Sequence, residues 1–205
     1  MKTIITLLTI LSFGLSFAQT TLIPDTAFEQ KLIQLGLDTG IVNGSVPTAN
    51  IDTVRSLDVS NIGTTDLTGI EDFIALTNLI CFRNYLTSLD VSNNTALTNL
   101  TCYYNQLSSL DVSNNLALIE LYCGGNNLTS LDVSNNTALE YLGCSYNGLN
   151  SLDLSGTTAL TTLYCGNNPL SSLDVSNNTA LTSLGCGGNQ LTSIDLSQNT
   201  ALTSL

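Results

Sequence analysis

The chain has no histidine and only four lysine and arginine residues among its 205. Without histidine it lacks the commonest general base and a principal zinc ligand. No two cysteines form a CxxC pair, so the usual zinc-site spacing is missing too. Charged residues amount to 10%, and 16 acidic side chains against four basic give a net charge of −12. Such a balance argues against nucleic acid as a partner. The polar surface must be built from Ser, Thr and Asn instead. Hydrophobic residues make up 43%, so a core is available.

Residues 1–18 read as a secretory signal peptide. Lys2 supplies the positive end, an apolar run from Ile4 to Phe17 follows, and Ser16 with Ala18 fits the small-residue cleavage rule. The mature chain is then expected to start at Gln19, with three basic residues against 16 acidic and a net charge of −13. No cysteine follows the cut, which speaks against a lipoprotein anchor. The run is short for a membrane span, and no later segment is apolar enough for one, so no membrane insertion is expected.

What the chain does have is a period. Cys81, Cys102, Cys123, Cys144, Cys165 and Cys186 are each 21 residues apart. Asp90, Asp111, Asp132, Asp153, Asp174 and Asp195 keep the same step, as do Asn84, Asn105, Asn126, Asn147, Asn168 and Asn189. A fixed period of this length predicts a solenoid with one coil per repeat. In Leu-x-Cys and Leu-Asp-Val the outer residues are apolar and the middle one polar or variable. Alternation of that kind predicts two short strands per coil, and so two parallel sheets. Stacked cysteines would lie about 4.8 Å apart with parallel side chains, which suits packing of reduced thiols better than bridging. Zinc ligation by that row is the alternative. The asparagines are expected inside, pairing backbone groups where the chain turns inward.

The units resemble the leucine-rich-repeat family. Leu76-x-x-Leu79-x-Cys81-x-x-Asn84-x-Leu86 matches its LxxLxLxxNxL pattern, with Cys in the third leucine position. The second half, Leu86-x-x-Leu89-Asp90-Val91-x-x-Asn94, is similar to the bacterial nested 21-residue class called IRREKO. Thr157 in place of the second asparagine and Ile194 in place of Leu depart from it. The resemblance covers roughly 54–205: a divergent first repeat at 54–75, six 21-residue repeats at 76–201, and the start of another at 202–205. It implies a leucine-rich-repeat solenoid of stacked parallel β coils whose variable face recognises a partner. Similar bacterial proteins are commonly surface or secreted interaction and adhesion proteins.

Residues 19–53 do not fit the repeat and are expected to form an N-terminal cap. Thr26 with Glu29 reads as a capping box opening a helix over about 25–35, ended by Gly36. The chain stops at Leu205 without a cap, which reads as part of a longer protein.

Second halves barely vary, whereas first halves vary at their outward positions. All seven tyrosines lie in first halves or their exit loops. The expected ligand-binding face is Phe82, Arg83, Tyr103, Tyr104, Glu120, Tyr122, Glu140, Tyr141, Tyr146 and Tyr164, because exposed Tyr and Arg are favoured at interfaces. Repeat drift, with tyrosines covering apolar rims, is the competing explanation. The aspartate row invites calcium, set against solvation or bonding to nearby serines; the glycine-rich calcium-binding repeat is absent. No cofactor is expected. The function expected is protein recognition or adhesion outside the cell, with a glycan as the other ligand class. Two rivals stand beside it. One is a spacer presenting a missing C-terminal domain. The other is a carbohydrate-active enzyme using Glu120 and Glu140.

Overall fold

The computed structural model describes residues 19–205; the expected signal peptide, residues 1–18, lies outside them. Nine short strands and one α-helix follow in order. β1 (Thr20–Leu22) pairs antiparallel with β2 (Ser45–Pro47), and α1 spans Thr26–Gln34 between them. β3 (Ser56–Asp58), β4 (Asn78–Ile80), β5 (Asn99–Thr101), β6 (Glu120–Tyr122), β7 (Tyr141–Gly143), β8 (Thr162–Tyr164) and β9 (Ser183–Gly185) form one parallel sheet in chain order.

Register follows the sequence period. Leu57, Leu79, Leu100, Leu121, Leu142, Leu163 and Leu184 stack as partners along the sheet, and none is more than 1% exposed. The cysteines continue the ladder past each strand: the N–H of Cys102 donates to Tyr122 O, and that of Cys123 to Gly143 O, both at 2.8 Å. All six thiols are free; five are buried and Cys186 is half-buried. Burial holds the thiols of Cys81 and Cys165 up at about 12 and those of Cys102, Cys123 and Cys144 well above their ordinary value.

Each first-half asparagine ties three stretches of chain. Asn105 Nδ2 donates to Cys81 O and Cys102 O, both at 3.0 Å, and its Oδ1 accepts from Leu86 N at 3.2 Å. A second row lies in the second halves: Asn115 Nδ2 donates to Val91 O at 3.0 Å and Asn94 O at 2.9 Å.

The expectation of two strands per coil is corrected. From Leu89 to Val175 the Leu-Asp-Val and Leu-Asp-Leu segments bury their outer residues but form no ladder, so the repeats build one parallel sheet. Each aspartate accepts the N–H two residues on, as Asp111 Oδ1 does from Ser113 N at 2.9 Å; Asp58, inside β3, does the same with Ser60 N, so this turn is compatible with a ladder.

The capping box is corrected as well. Asp25, not Thr26, caps α1, accepting from Ala27 N and Phe28 N at 3.0 and 2.9 Å. Glu29 is fully buried and accepts from Asn43 N and Gly44 N, holding the loop before β2. Asp25 Oδ2 also accepts from Thr65 N at 2.9 Å, and the rings of Phe28 and Phe73 stack at 6.3 Å. The helix is thereby fixed on the first coil.

Candidate functional site

The outward side chains of the sheet fall into columns, one residue per coil. The column following each strand bends sharply inward. Its members are Asn61, Arg83, Tyr104, Gly125, Tyr146, Asn167 and Gly188, and every one has φ between 53° and 73°. This left-handed turn redirects the chain so that the next residue, Asn84 or Asn105 for example, enters the core. Glycine and asparagine take that conformation easily; tyrosine and arginine take it at a cost of about 1–2 kcal/mol. Tyr104 and Tyr146 are nevertheless held there, 54% and 62% exposed.

Tyrosine and glycine alternate along two columns. One reads Tyr104, Gly125, Tyr146 on successive coils; the other reads Tyr122, Gly143, Tyr164, Gly185. The glycines make room. A Cβ on Gly125 would lie 2.5 Å from Tyr104 Cδ1, and one on Gly185 would lie 2.6 Å from Tyr164 Cδ1. Tyr104 and Tyr164 thus lean over the following coil, where a side chain in place of Gly125 or Gly185 would meet the ring.

Two aromatic groups result. Phe82 and Tyr103 stack with centroids 4.6 Å apart, and Tyr104 meets Tyr103 edge-on at 5.4 Å. Tyr122 and Tyr141 lie 4.3 Å apart, with Tyr164 5.9 Å beyond Tyr141. Between them is an open cleft of about 280 Å³, with Tyr103, Tyr104, Tyr122, Tyr146 and Tyr164 around it and Gly124, Gly125, Gly143 and Ser145 completing its lining.

Two charges border the aromatics. The Tyr122 hydroxyl donates to Glu120 Oε2 at 3.2 Å; partial burial and the Glu120 charge push the phenol up to about 12. Burial, Tyr164 and the same carboxylate raise Tyr141. Arg83 sits one coil before Tyr104 in the left-handed column, its guanidinium carbon 5.8 Å from the ring centroid.

The structure therefore places nine of the ten expected face residues near one another: the two aromatic groups, Tyr146 at the cleft between them, and the flanking Arg83 and Glu120. Glu140 stands apart. It lies one position before β7, in the row of Thr98 and Thr161, and does not line the cleft. Sequence reasoning missed the glycines. Their signal was present as Tyr and Gly trading places in one column, legible only once columns rather than repeats are compared.

The aspartate row lies elsewhere. Asp90, Asp111, Asp132, Asp153, Asp174 and Asp195 each accept the following serine N–H at 2.8–2.9 Å, and those serine bonds hold each carboxyl below its ordinary value. Among the described residues no three His, Cys, Asp or Glu side chains are grouped to hold a metal ion. No helix among them is long and apolar enough to cross a membrane.

Comparison with known proteins agrees with the stacked register. A family model described as Leucine Rich repeats (2 copies) matches residues 137–178. The functional domain of InlJ from Listeria monocytogenes, whose structure includes a cysteine ladder, superposes with a TM-score of 0.77 at 37% identity, over 94% of this chain and 48% of that one. This chain is a leucine-rich-repeat solenoid. In sequence, Internalin J from L. monocytogenes serotype 4b is 51% identical over 43 residues, which is 21% of this chain and 5% of that protein. An internalin C2 from the same species shares the fold, with a TM-score of 0.82 at 24% identity over 94% of this chain and 89% of that one. The leucine-rich-repeat solenoid spans about half the length of the InlJ domain it matches.

Proposed function

We propose that this leucine-rich-repeat solenoid is an exported, non-catalytic recognition module that binds a protein through the tyrosine-bearing face of its sheet. The observation that carries this reading is the upkeep of that face. Two tyrosines are kept in a left-handed conformation that glycine or asparagine would adopt without strain, and glycines are kept beneath neighbouring rings. Strain and lost side chains need a compensating gain, and aromatic anchors at an interface supply one. Likeness to the InlJ functional domain supports the solenoid on which that face is displayed.

Catalysis finds little support in the chemistry. The five buried cysteines are held as thiols, Glu120 is engaged by Tyr122, and no histidine exists to serve as a base. An adhesive role at the cell surface follows from the expected signal peptide together with the binding face.

Affinity capture from envelope and extracellular-matrix extracts tests the reading. The bait is the full mature chain beside a Tyr103→Ser, Tyr122→Ser, Tyr164→Ser triple variant whose folding is checked by circular dichroism. A protein retained by the parent and lost by the folded variant is the expected result. Identical captures from the two baits, or none, would put the spacer reading in its place.

A further inference from the structure

We propose that the tyrosine cleft receives a basic side chain, arginine or lysine, from the protein partner, stacked against the rings with Glu120 as its counter-charge. The inference rests on the recognition reading above and specifies the chemistry of the partner. Three observations carry it.

The first is the wall chemistry. Tyrosine faces are electron-rich and attract a cation placed within about 6 Å of the ring centroid, more strongly when water is displaced. The cleft offers several such faces over a glycine floor, where no side chain hinders the approach of a long, flat guanidinium. The second is that the protein already makes this contact internally: Arg83 lies 5.8 Å from the Tyr104 centroid, on the coil preceding the cleft. The third is the balance of charge. After Arg83 the chain contains eight acidic residues and no basic one, so the coils that build the cleft have no cation of their own. Glu120 does not line the cleft itself, but its carboxylate is bonded to the hydroxyl of Tyr122, one of the cleft's walls. Six of the eight acidic residues form the aspartate row away from the cleft, so Glu120 is the local counter-charge and the rest act at longer range, favouring encounter with a basic partner over an acidic one. A purely apolar anchor would gain from the rings and nothing from Glu120.

The test uses the full mature chain with 13C-labelled tyrosine rings, followed by NMR. Two probes are titrated, Nα-acetyl-arginine methylamide and the uncharged Nα-acetyl-norleucine methylamide. The arginine probe is expected to shift Tyr103, Tyr104, Tyr122, Tyr146 and Tyr164 to saturation while leaving Tyr85 unmoved. The norleucine probe is expected to shift none of them comparably. Glu120→Gln, which preserves shape, is expected to weaken the arginine probe by roughly three- to tenfold. Equal shifts from both probes, no ring shifts with arginine, or unchanged affinity in Glu120→Gln would each overturn the proposal. Failure of the recognition reading is seen separately. If capture depends on the tyrosines but the arginine probe leaves the rings unmoved, recognition stands and the basic partner falls.

Discussion

Tyr146 is the residue at which stability and recognition pull hardest against each other. It occupies a column that holds Asn61, Gly125, Asn167 and Gly188 at four of its seven positions, and its φ of 56° is in the same left-handed range. Unlike Tyr104, it stacks on no other ring among the described residues. Replacing it removes backbone strain and forfeits little packing. Tyr146→Asn is therefore expected to raise stability by about 1 kcal/mol in a denaturant titration while weakening partner capture. A destabilised variant would mean that the ring earns its place in the fold, and the strain argument would fail. The outward setting of Tyr122 and Tyr164 was readable from alternation alone. The left-handed column was not: it is a property of backbone geometry, and at Tyr104 and Tyr146 the residue type conceals the conformation that glycine advertises at Gly125 and Gly188.

At the scale of the element, the two asparagine rows differ. In the first-half row Asn105 uses both amide hydrogens and its carbonyl oxygen. In the second-half row Asn115 uses its hydrogens only, and the Oδ1 atoms of Asn94, Asn115, Asn136, Asn178 and Asn199 have no donor among the described residues. The first-half row also flanks the sheet ladder, whereas the second half has none. Asn105→Ala is thus expected to cost more than Asn115→Ala, about 2–4 against about 1–3 kcal/mol, because it leaves more buried backbone groups unpaired. Paired unfolding curves check the order; equal costs would remove the distinction. The same contrast explains what the sequence concealed. Leu-x-Cys and Leu-Asp-Val alternate identically, and periodicity cannot tell a strand from an extended segment. The local turn does not separate them either: Asp58 Oδ1 captures the Ser60 N–H just as Asp111 Oδ1 captures that of Ser113, and Asp58 lies in β3. At α1, Thr26 and Glu29 have capping-box spacing, yet Asp25 one residue earlier offers a carboxylate that also reaches Thr65. Tertiary partners decided between two caps that local sequence left equivalent.

For the whole molecule, stacking like groups on every coil makes pH act on many sites together. The aspartates of the Ser-linked row are lowered in the folded chain. Their contribution is present above the unfolded value and is lost only as pH falls through the lower folded values, so it leaves neutral pH untouched. Because these carboxyls lie at the surface, that acid limb is shallow. The thiols act at the other end and more strongly. Cys81 and Cys165 stay protonated to about 12, and Cys102, Cys123 and Cys144 are pushed well above their ordinary value, while an unfolded chain ionises its cysteines near 9. From about pH 9 upward the folded state binds protons that the unfolded state has released, so stability falls as pH rises. Each buried thiol adds up to about 1.4 kcal/mol per pH unit to that slope. Unfolding free energy measured in denaturant between pH 7 and 11 is expected to stay level to about 9 and then drop steeply. Replacing Cys102 and Cys123 by Ala lowers the plateau through lost packing but makes the alkaline decline shallower, a change of slope that a simple cavity would not produce. An unchanged slope in that variant would show that the stacked thiols do not set the alkaline limit of the solenoid.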